Sequence, residues 1–255
     1  MTIKDYFKKA TEEKWAIGHF NFSENEALRA IVESAALLKT PIFIGTSEGE
    51  RKHIGLKQAV NLVSAFREEF GIPIFLNADH TKSFEDVVAA VDAGYDAILA
   101  DFSAVRGESK IQKEIIKIKT EDLTEPEEAE KFVRETGVDM LAPAVGNIHG
   151  IVANAPKLDF QRIANIKKAV GDNIYLVLHG GSGMSETDFK NSIVNGISMI
   201  HINTEIRVAF TEAVKKTIAE MPEETTPYKI LTPGVEAMKK VIEKKLRIFG
   251  SINKI

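Results

Sequence analysis

The runs Ile74-Phe-Leu-Asn-Ala-Asp79-His80, Met140-Leu-Ala-Pro-Ala-Val-Gly-Asn-Ile-His149-Gly150 and Tyr175-Leu-Val-Leu-His179-Gly-Gly-Ser-Gly183 share one plan, an apolar strand-like stretch that leads into a histidine. When strands run parallel in one barrel their carboxyl ends lie on one rim, where barrel enzymes build their active sites. The expectation is that His80, His149 and His179 converge on one metal ion. Three imidazoles with one coordination position left open is the layout of catalytic zinc.

Around these runs, short segments that are apolar throughout alternate with longer segments of helical period, the pattern of parallel strands covered on both faces by helices. Strands are predicted at 16–22, 41–47, 73–79, 97–102, 140–146, 174–179 and 198–204. Helices are predicted at 24–38, 54–69, 83–93, 126–136, 158–169, 186–195, 205–220 and 233–248. Ser83 ahead of Phe-Glu-Asp is a cap, and Thr124-Glu-Pro-Glu-Glu places proline and acids in a first turn. No linker, repeat or break in composition divides the chain, so residues 1–255 read as a single domain. The fold expected is an α/β TIM (β/α)8 barrel.

Seven strands fall one short of the eight that close such a barrel. The shortfall lies after Ser103, because the step from strand 97–102 to strand 140–146 has to hold two units. Helix 126–136 belongs to the later unit, which leaves Ser103 to Asp122 for a helix and a strand together, too little for a βα unit of the usual ~30 residues. Either Glu114-Ile-Ile-Lys-Ile-Lys119 serves as a makeshift fifth strand, or one βα unit after Ser103 is missing from the sequence. The second reading is favoured.

Composition narrows the function. The chain has 255 residues, 44% of them hydrophobic, with 33 basic against 37 acidic side chains and a net charge of −4. Nothing there suggests a polycationic surface for nucleic acid or an anionic membrane. There are no cysteines, so thiolate ligands, disulfides and a cysteine nucleophile are excluded. The start, Met1-Thr-Ile-Lys-Asp-Tyr-Phe-Lys-Lys, carries charges where a signal peptide needs an apolar stretch, and no run reaches transmembrane length. A cytoplasmic enzyme is expected.

The motifs in order resemble those of the class II, metal-dependent ketose-bisphosphate aldolases over nearly the whole chain. Asn77-Ala-Asp79-His80 resembles that family's Asp-His pair, Ala144-Val-Gly-Asn-Ile-His149-Gly150 its second metal-ligand motif and Leu178-His179-Gly180-Gly181-Ser182-Gly183 its third. His201-Ile-Asn203-Thr204-Glu205 resembles the phosphate-contacting turn on the last strand. The resemblance implies a TIM barrel, one catalytic divalent metal per subunit, usually zinc, with a monovalent cation as a further candidate, and a homo-oligomer, dimeric or larger. It implies reversible cleavage of a ketose bisphosphate to dihydroxyacetone phosphate and an aldose phosphate. Asp79 is implied as the proton donor and acceptor at the aldehyde-side hydroxyl. Asn21, Ser47 and Gly150 are implied as further substrate contacts.

The chemistry of the residues agrees. Breaking a carbon–carbon bond beside a ketone requires an enediolate to be stabilised, which a Lewis-acidic metal does directly. No apolar strand run ends in lysine, so no Schiff-base residue presents itself. Neighbours on an extended strand point in different directions, so Asp79 can face substrate while His80 faces metal. Gly180-Gly181-Ser182-Gly183 stands between a strand and a helix, where backbone N–H groups can approach a phosphate. Each motif has a plainer reading. A lone histidine after a strand is ordinarily a hydrogen-bonded rim residue, Asp79 could cap the helix near Ser83, and the glycines could form a simple tight turn. His19 reads as a hydrogen-bonded core histidine and His53 as part of a charged loop.

Two departures from the family stand out. Its glutamate-bearing strand and catalytic loop acid belong to the stretch missing after Ser103, of which Arg106-Gly-Glu108-Ser-Lys110 reads as a remnant. Met199 and His201 stand where lysine and asparagine are commoner, and Asn203 where aspartate is frequent. Fructose 1,6-bisphosphate is the leading substrate and tagatose bisphosphate its neighbour. A barrel metal-dependent hydrolase and a non-catalytic phosphate-binding homologue are the alternatives from other classes.

Overall fold

The computed structural model describes residues 1–101, 122–148, 150 and 157–255. Ser103, the Arg106 to Lys110 remnant, the Glu114 to Lys119 strand candidate and His149 lie outside the described residues. Seven strands are found among those described: β1 (Ile17–Asn21), β2 (Ile42–Thr46), β3 (Ile74–Thr81), β4 (Ala97–Ala100), β5 (Met140–Leu141), β6 (Tyr175–Leu178) and β7 (Ile197–Ile202). They are hydrogen-bonded in the order β4-β3-β2-β1-β7-β6-β5. The fold is α/β of the TIM-barrel type with seven strands. A missing unit after Ser103 is consistent with that seven-stranded sheet, in whose order β4 and β5 come first and last among the described residues.

Strands β1, β2, β6 and β7 are buried at every residue, which is why their sequences are apolar without alternation. β4 is half-buried to exposed, and β5 has only two residues, both half-buried. The predicted strand 140–146 is thus cut short after Leu141, and Pro143, which lacks an N–H and fixes φ, stands two residues beyond.

Ten helices accompany the strands among the described residues. The prediction lacked α1 (Ile3–Glu13), whose start is fixed by a capping box in which Asp5 N–H donates to Thr2 Oγ1 and Thr2 N–H to Asp5 Oδ2. α2 (Asn25–Leu38) buries Leu28, Ile31, Val32, Ala35 and Leu38, the 3.6-residue spacing that marked it. The helix predicted at 54–69 is α4 (Leu56–Phe70); the prediction lacked α3 (Glu48–Ile54), which precedes it and is parted from it by Gly55 at φ +90°. His53 therefore lies in the last turn of a helix, not in a loop. α5 (Phe84–Ala93), α6 (Pro126–Thr136), α7 (Phe160–Val170), α8 (Glu186–Val194) and α9 (Thr204–Glu220) follow their predictions closely. α10 (Pro227–Ile248) begins earlier than predicted and carries Pro233 inside it. No helix among the described residues is long and apolar enough to cross a membrane.

The chain forms two compact units. One comprises Met1–Gly18, Gly107–Ile202 and Ile248–Ser251. In it Phe7 stacks on Tyr175 with ring centroids 4.8 Å apart, and Phe189 meets Phe249 edge-on at 5.2 Å. The other comprises His19–Arg106, Asn203–Arg247 and Ile252–Ile255. There β2 and β3 pair in parallel from Ile42↔Ile74 to Thr46↔Ala78, with Phe43 and Phe75 5.1 Å apart.

Candidate active site

In the unit built around β2 to β4, functional side chains follow the carboxyl ends of the strands. Asn21 ends β1, Ser47 follows β2 as N-cap of α3, Asp79 and His80 lie near the end of β3, and Asn203 is N-cap of α9 with Thr204 as its first residue. Asp79 is buried. Its Oδ2 accepts a hydrogen bond of 2.9 Å from Asn21 Nδ2, and its backbone carbonyl accepts one of 3.0 Å from Arg51 Nη1. Arg51 also donates to the Thr46 carbonyl and to Thr81 Oγ1, so a buried guanidinium ties the ends of β2 and β3 together. The N-cap of α5 is Ser83, whose Oγ accepts from Asp86 N–H.

His80 has φ +45°, the left-handed region, and the register between β3 and β4 shifts between Ala78 and Thr81. A bulge of this kind re-aims side chains beside functional sites, and strain of this kind gathers there. The His80 ring is held by Nδ1 against Asp101 Oδ2 at 2.8 Å. A carboxylate on one ring nitrogen sets the tautomer that presents the other, Nε2, as a metal ligand. His19 is fully buried and its Nε2 lies 3.0 Å from Asn77 Nδ2, as a core histidine should. Burial, partly offset by Asp79, lowers its pKa to about 4, so the imidazole is neutral and accepts from the amide.

Glu50, in the first turn of α3, gathers several of the predicted substrate contacts. Its Oε2 accepts from Asn21 Nδ2 at 2.8 Å and from Ser47 N–H at 2.6 Å, and its Oε1 accepts from Asn203 Nδ2 at 3.2 Å.

In the other unit His179 follows β6 and is buried. Its carbonyl accepts from Asn147 Nδ2 at 3.1 Å, which joins the His179 motif to the one that precedes His149. The ring of His201, predicted as a phosphate contact, packs against the His179 ring with centroids 3.9 Å apart. Gly180, Gly181 and Ser182 form the turn after β6, and Gly181 N–H donates to the His201 carbonyl at 3.2 Å. A Cβ on Gly181 would stand 2.9 Å from that carbonyl oxygen, so close approach to the end of β7 itself demands glycine. Gly150 adopts φ +96°.

Sequence reasoning passed over Glu50, Arg51, Asp101 and Asn147. A signal existed for two of them. Ser47-Glu-Gly-Glu50 has the capping-box spacing, and Asp101 ends an apolar run as Asp79 and His80 do.

Parallel strands followed at their carboxyl ends by histidines, carboxylates and carboxamides, with a glycine turn after one of them, define an α/β enzyme of the barrel type. The family model for class-II fructose-bisphosphate aldolase matches residues 1–118 and 107–254. A fructose-bisphosphate aldolase of Geobacillus stearothermophilus is 34% identical over 283 positions, covering 100% of this chain and 98% of the relative. A probable fructose-bisphosphate aldolase of Bacillus subtilis is 32% identical over 282 positions, covering 99% and 98%. Among solved structures, the YdjI aldolase of Escherichia coli K12 superimposes with a TM-score of 0.80 at 25% identity, covering 100% of this chain and 98% of that one. The Campylobacter jejuni fructose-bisphosphate aldolase, at 20% identity, shares the fold with a TM-score of 0.81, covering 99% and 95%. The chain belongs to the class II fructose-bisphosphate aldolase family, and its activity is that of an aldolase, a carbon–carbon lyase.

Proposed function

We propose that the protein catalyses zinc-dependent, reversible cleavage of fructose 1,6-bisphosphate to dihydroxyacetone phosphate and glyceraldehyde 3-phosphate. The observation that carries the reading is the Asp79-His80 pair. One carboxylate is fixed by Asn21 and, through its backbone, by Arg51, while the next side chain is turned by a bulge and tethered to Asp101. That is the division of labour expected of a proton-handling acid beside a metal ligand.

His80, His149 and His179 would hold the ion. Imidazoles with a carboxylate behind one of them suit zinc. A divalent ion bound there supplies Lewis acidity to the ketone and adjoining hydroxyl oxygens of the substrate. A monovalent cation could accompany it. In cleavage, Asp79 takes the proton of the aldehyde-side hydroxyl as the carbon–carbon bond breaks, and in synthesis it returns that proton to the new hydroxyl. Asn21, Ser47, Gly150, Gly180, Gly181, Ser182, His201, Asn203 and Thr204 contact the sugar phosphate substrate. The enzyme works in the cytoplasm as a homo-oligomer, dimeric or larger, on sugar phosphates, without nucleic acid or membrane partners. Met199 and His201 favour keeping tagatose 1,6-bisphosphate as the second substrate to test.

A coupled assay with each bisphosphate, with and without chelator, tests this. Fructose 1,6-bisphosphate should be cleaved, chelation should stop the reaction and zinc should restore it. Asp79→Ala should keep its zinc by elemental analysis and lose about 10²–10⁴-fold in turnover. Turnover of neither sugar, or turnover indifferent to chelator, would defeat the proposal.

A further inference from the structure

We propose that Glu50 is a specificity-determining residue that weakens binding of the second phosphate at the end of the site formed by Asn21, Ser47 and Asn203, and so narrows the advantage that fructose 1,6-bisphosphate holds over a ketose 1-phosphate whose far end carries a hydroxyl. This rests on the aldolase reading above. Three N–H donors, from Asn21 Nδ2, the Ser47 backbone and Asn203 Nδ2, converge on the two oxygens of one carboxylate. Such a set of donors is what an incoming phosphate would use. Here they are already satisfied from within the chain.

The charge works in the same direction. Among the described residues no cation pairs with Glu50: the neighbouring Arg51 is turned inward, onto the carbonyls of Thr46 and Asp79 and the hydroxyl of Thr81. The carboxylate of Asp79 shares Asn21 with that of Glu50, so an arriving phosphate dianion would meet the charge of Glu50 beside that of Asp79.

A hydroxyl fares differently. Asn203 Oδ1 is buried without a hydrogen-bond partner among the described residues. A buried acceptor left unmade is costly, and a hydroxyl can donate to it or to Glu50 where a phosphate dianion, which carries only acceptors, cannot. The same end of the site thus offers acceptors to a neutral sugar terminus and repulsion to a charged one.

Wild type, Glu50→Gln and Glu50→Ala are compared, zinc-loaded, on fructose 1,6-bisphosphate and fructose 1-phosphate. Gln keeps an oxygen to accept from Ser47 N–H and removes only the charge, so it guards against loss of fold. The ratio of kcat/KM for the bisphosphate over the monophosphate should rise about tenfold or more in both variants. A change of less than about twofold in Glu50→Gln overturns the proposal. Inorganic phosphate, titrated calorimetrically into the same three proteins, gives a second readout independent of turnover. Tighter binding by both variants supports the role of Glu50, and unchanged binding overturns it. Cleavage of neither sugar by any of the three proteins would overturn the aldolase reading, while the phosphate titration would still decide whether Glu50 repels an anion.

Discussion

His19 shows how one buried side chain ties the candidate site to pH. Its ring lies over Gly45, where an added Cβ would come within 2.2 Å of His19 Cε1, and it accepts from the amide of Asn77. The folded protein keeps it neutral down to about pH 4 because burial penalises the charged form, whereas an unfolded histidine takes a proton near pH 6.5. Between those values the unfolded chain binds the extra proton, so stability is full above about pH 6.5 and is lost as pH falls towards 4. Linkage puts the loss from this residue at about 2 kcal/mol between pH 7.5 and pH 5. His19→Gln, unfolded with urea in chelator at both values, should show a smaller loss than wild type by about that amount. Equal losses would mean that His19 is protonated in the fold.

At the scale of elements, the junction of β3 and β4 sets the direction of His80, the first of the three proposed histidine ligands. The register shift between Ala78 and Thr81, the positive φ of His80 and the bond from its Nδ1 to Asp101 all belong to that junction. Removing a carboxylate that orients a metal-bound histidine typically costs 10–100-fold in metal affinity. Asp101→Ala should therefore hold zinc about 10–100-fold more weakly in a chelator competition, with its circular dichroism unchanged. Undiminished affinity would remove either His80 from the ligand set or Asp101 from its support. Helix α3 also works as an element. Its capping box places Glu50 at the ends of Asn21 and Asn203, and its second turn sends Arg51 beneath Asp79. The sequence reading lacked this seven-residue helix, and that was enough to hide both roles.

At the scale of the whole molecule, the shortfall after Ser103 acquires several independent supports. The two segments of the family match overlap at residues 107–118, and the Geobacillus alignment runs over 283 positions although the chain has 255 residues. The outermost strands β4 and β5 are the least buried, and α5 exposes Phe84, Val88 and Val91, an i, i+4, i+7 apolar stripe that a following helix would cover. The native gene product should accordingly show an intact mass well above the 28.2 kDa of these residues. A mass equal to that figure would make this a true seven-stranded member of the family. The sequence by itself determined the alternation of strands and helices, because parallel strands buried on both faces must be apolar throughout, and it determined Asp79, His80 and His179 as candidates, because they are polar residues closing such runs. Only the tertiary structure decided which side chains serve them. Asp101, Glu50, Arg51 and Asn147 meet their partners through hydrogen bonds spanning 21 to 32 residues of chain in four cases, the bonds to His80, Asn21, Asp79 and His179, and 153 in the bond from Asn203 to Glu50. No local pattern encodes contacts of that separation, since they arise only when strand ends are brought side by side.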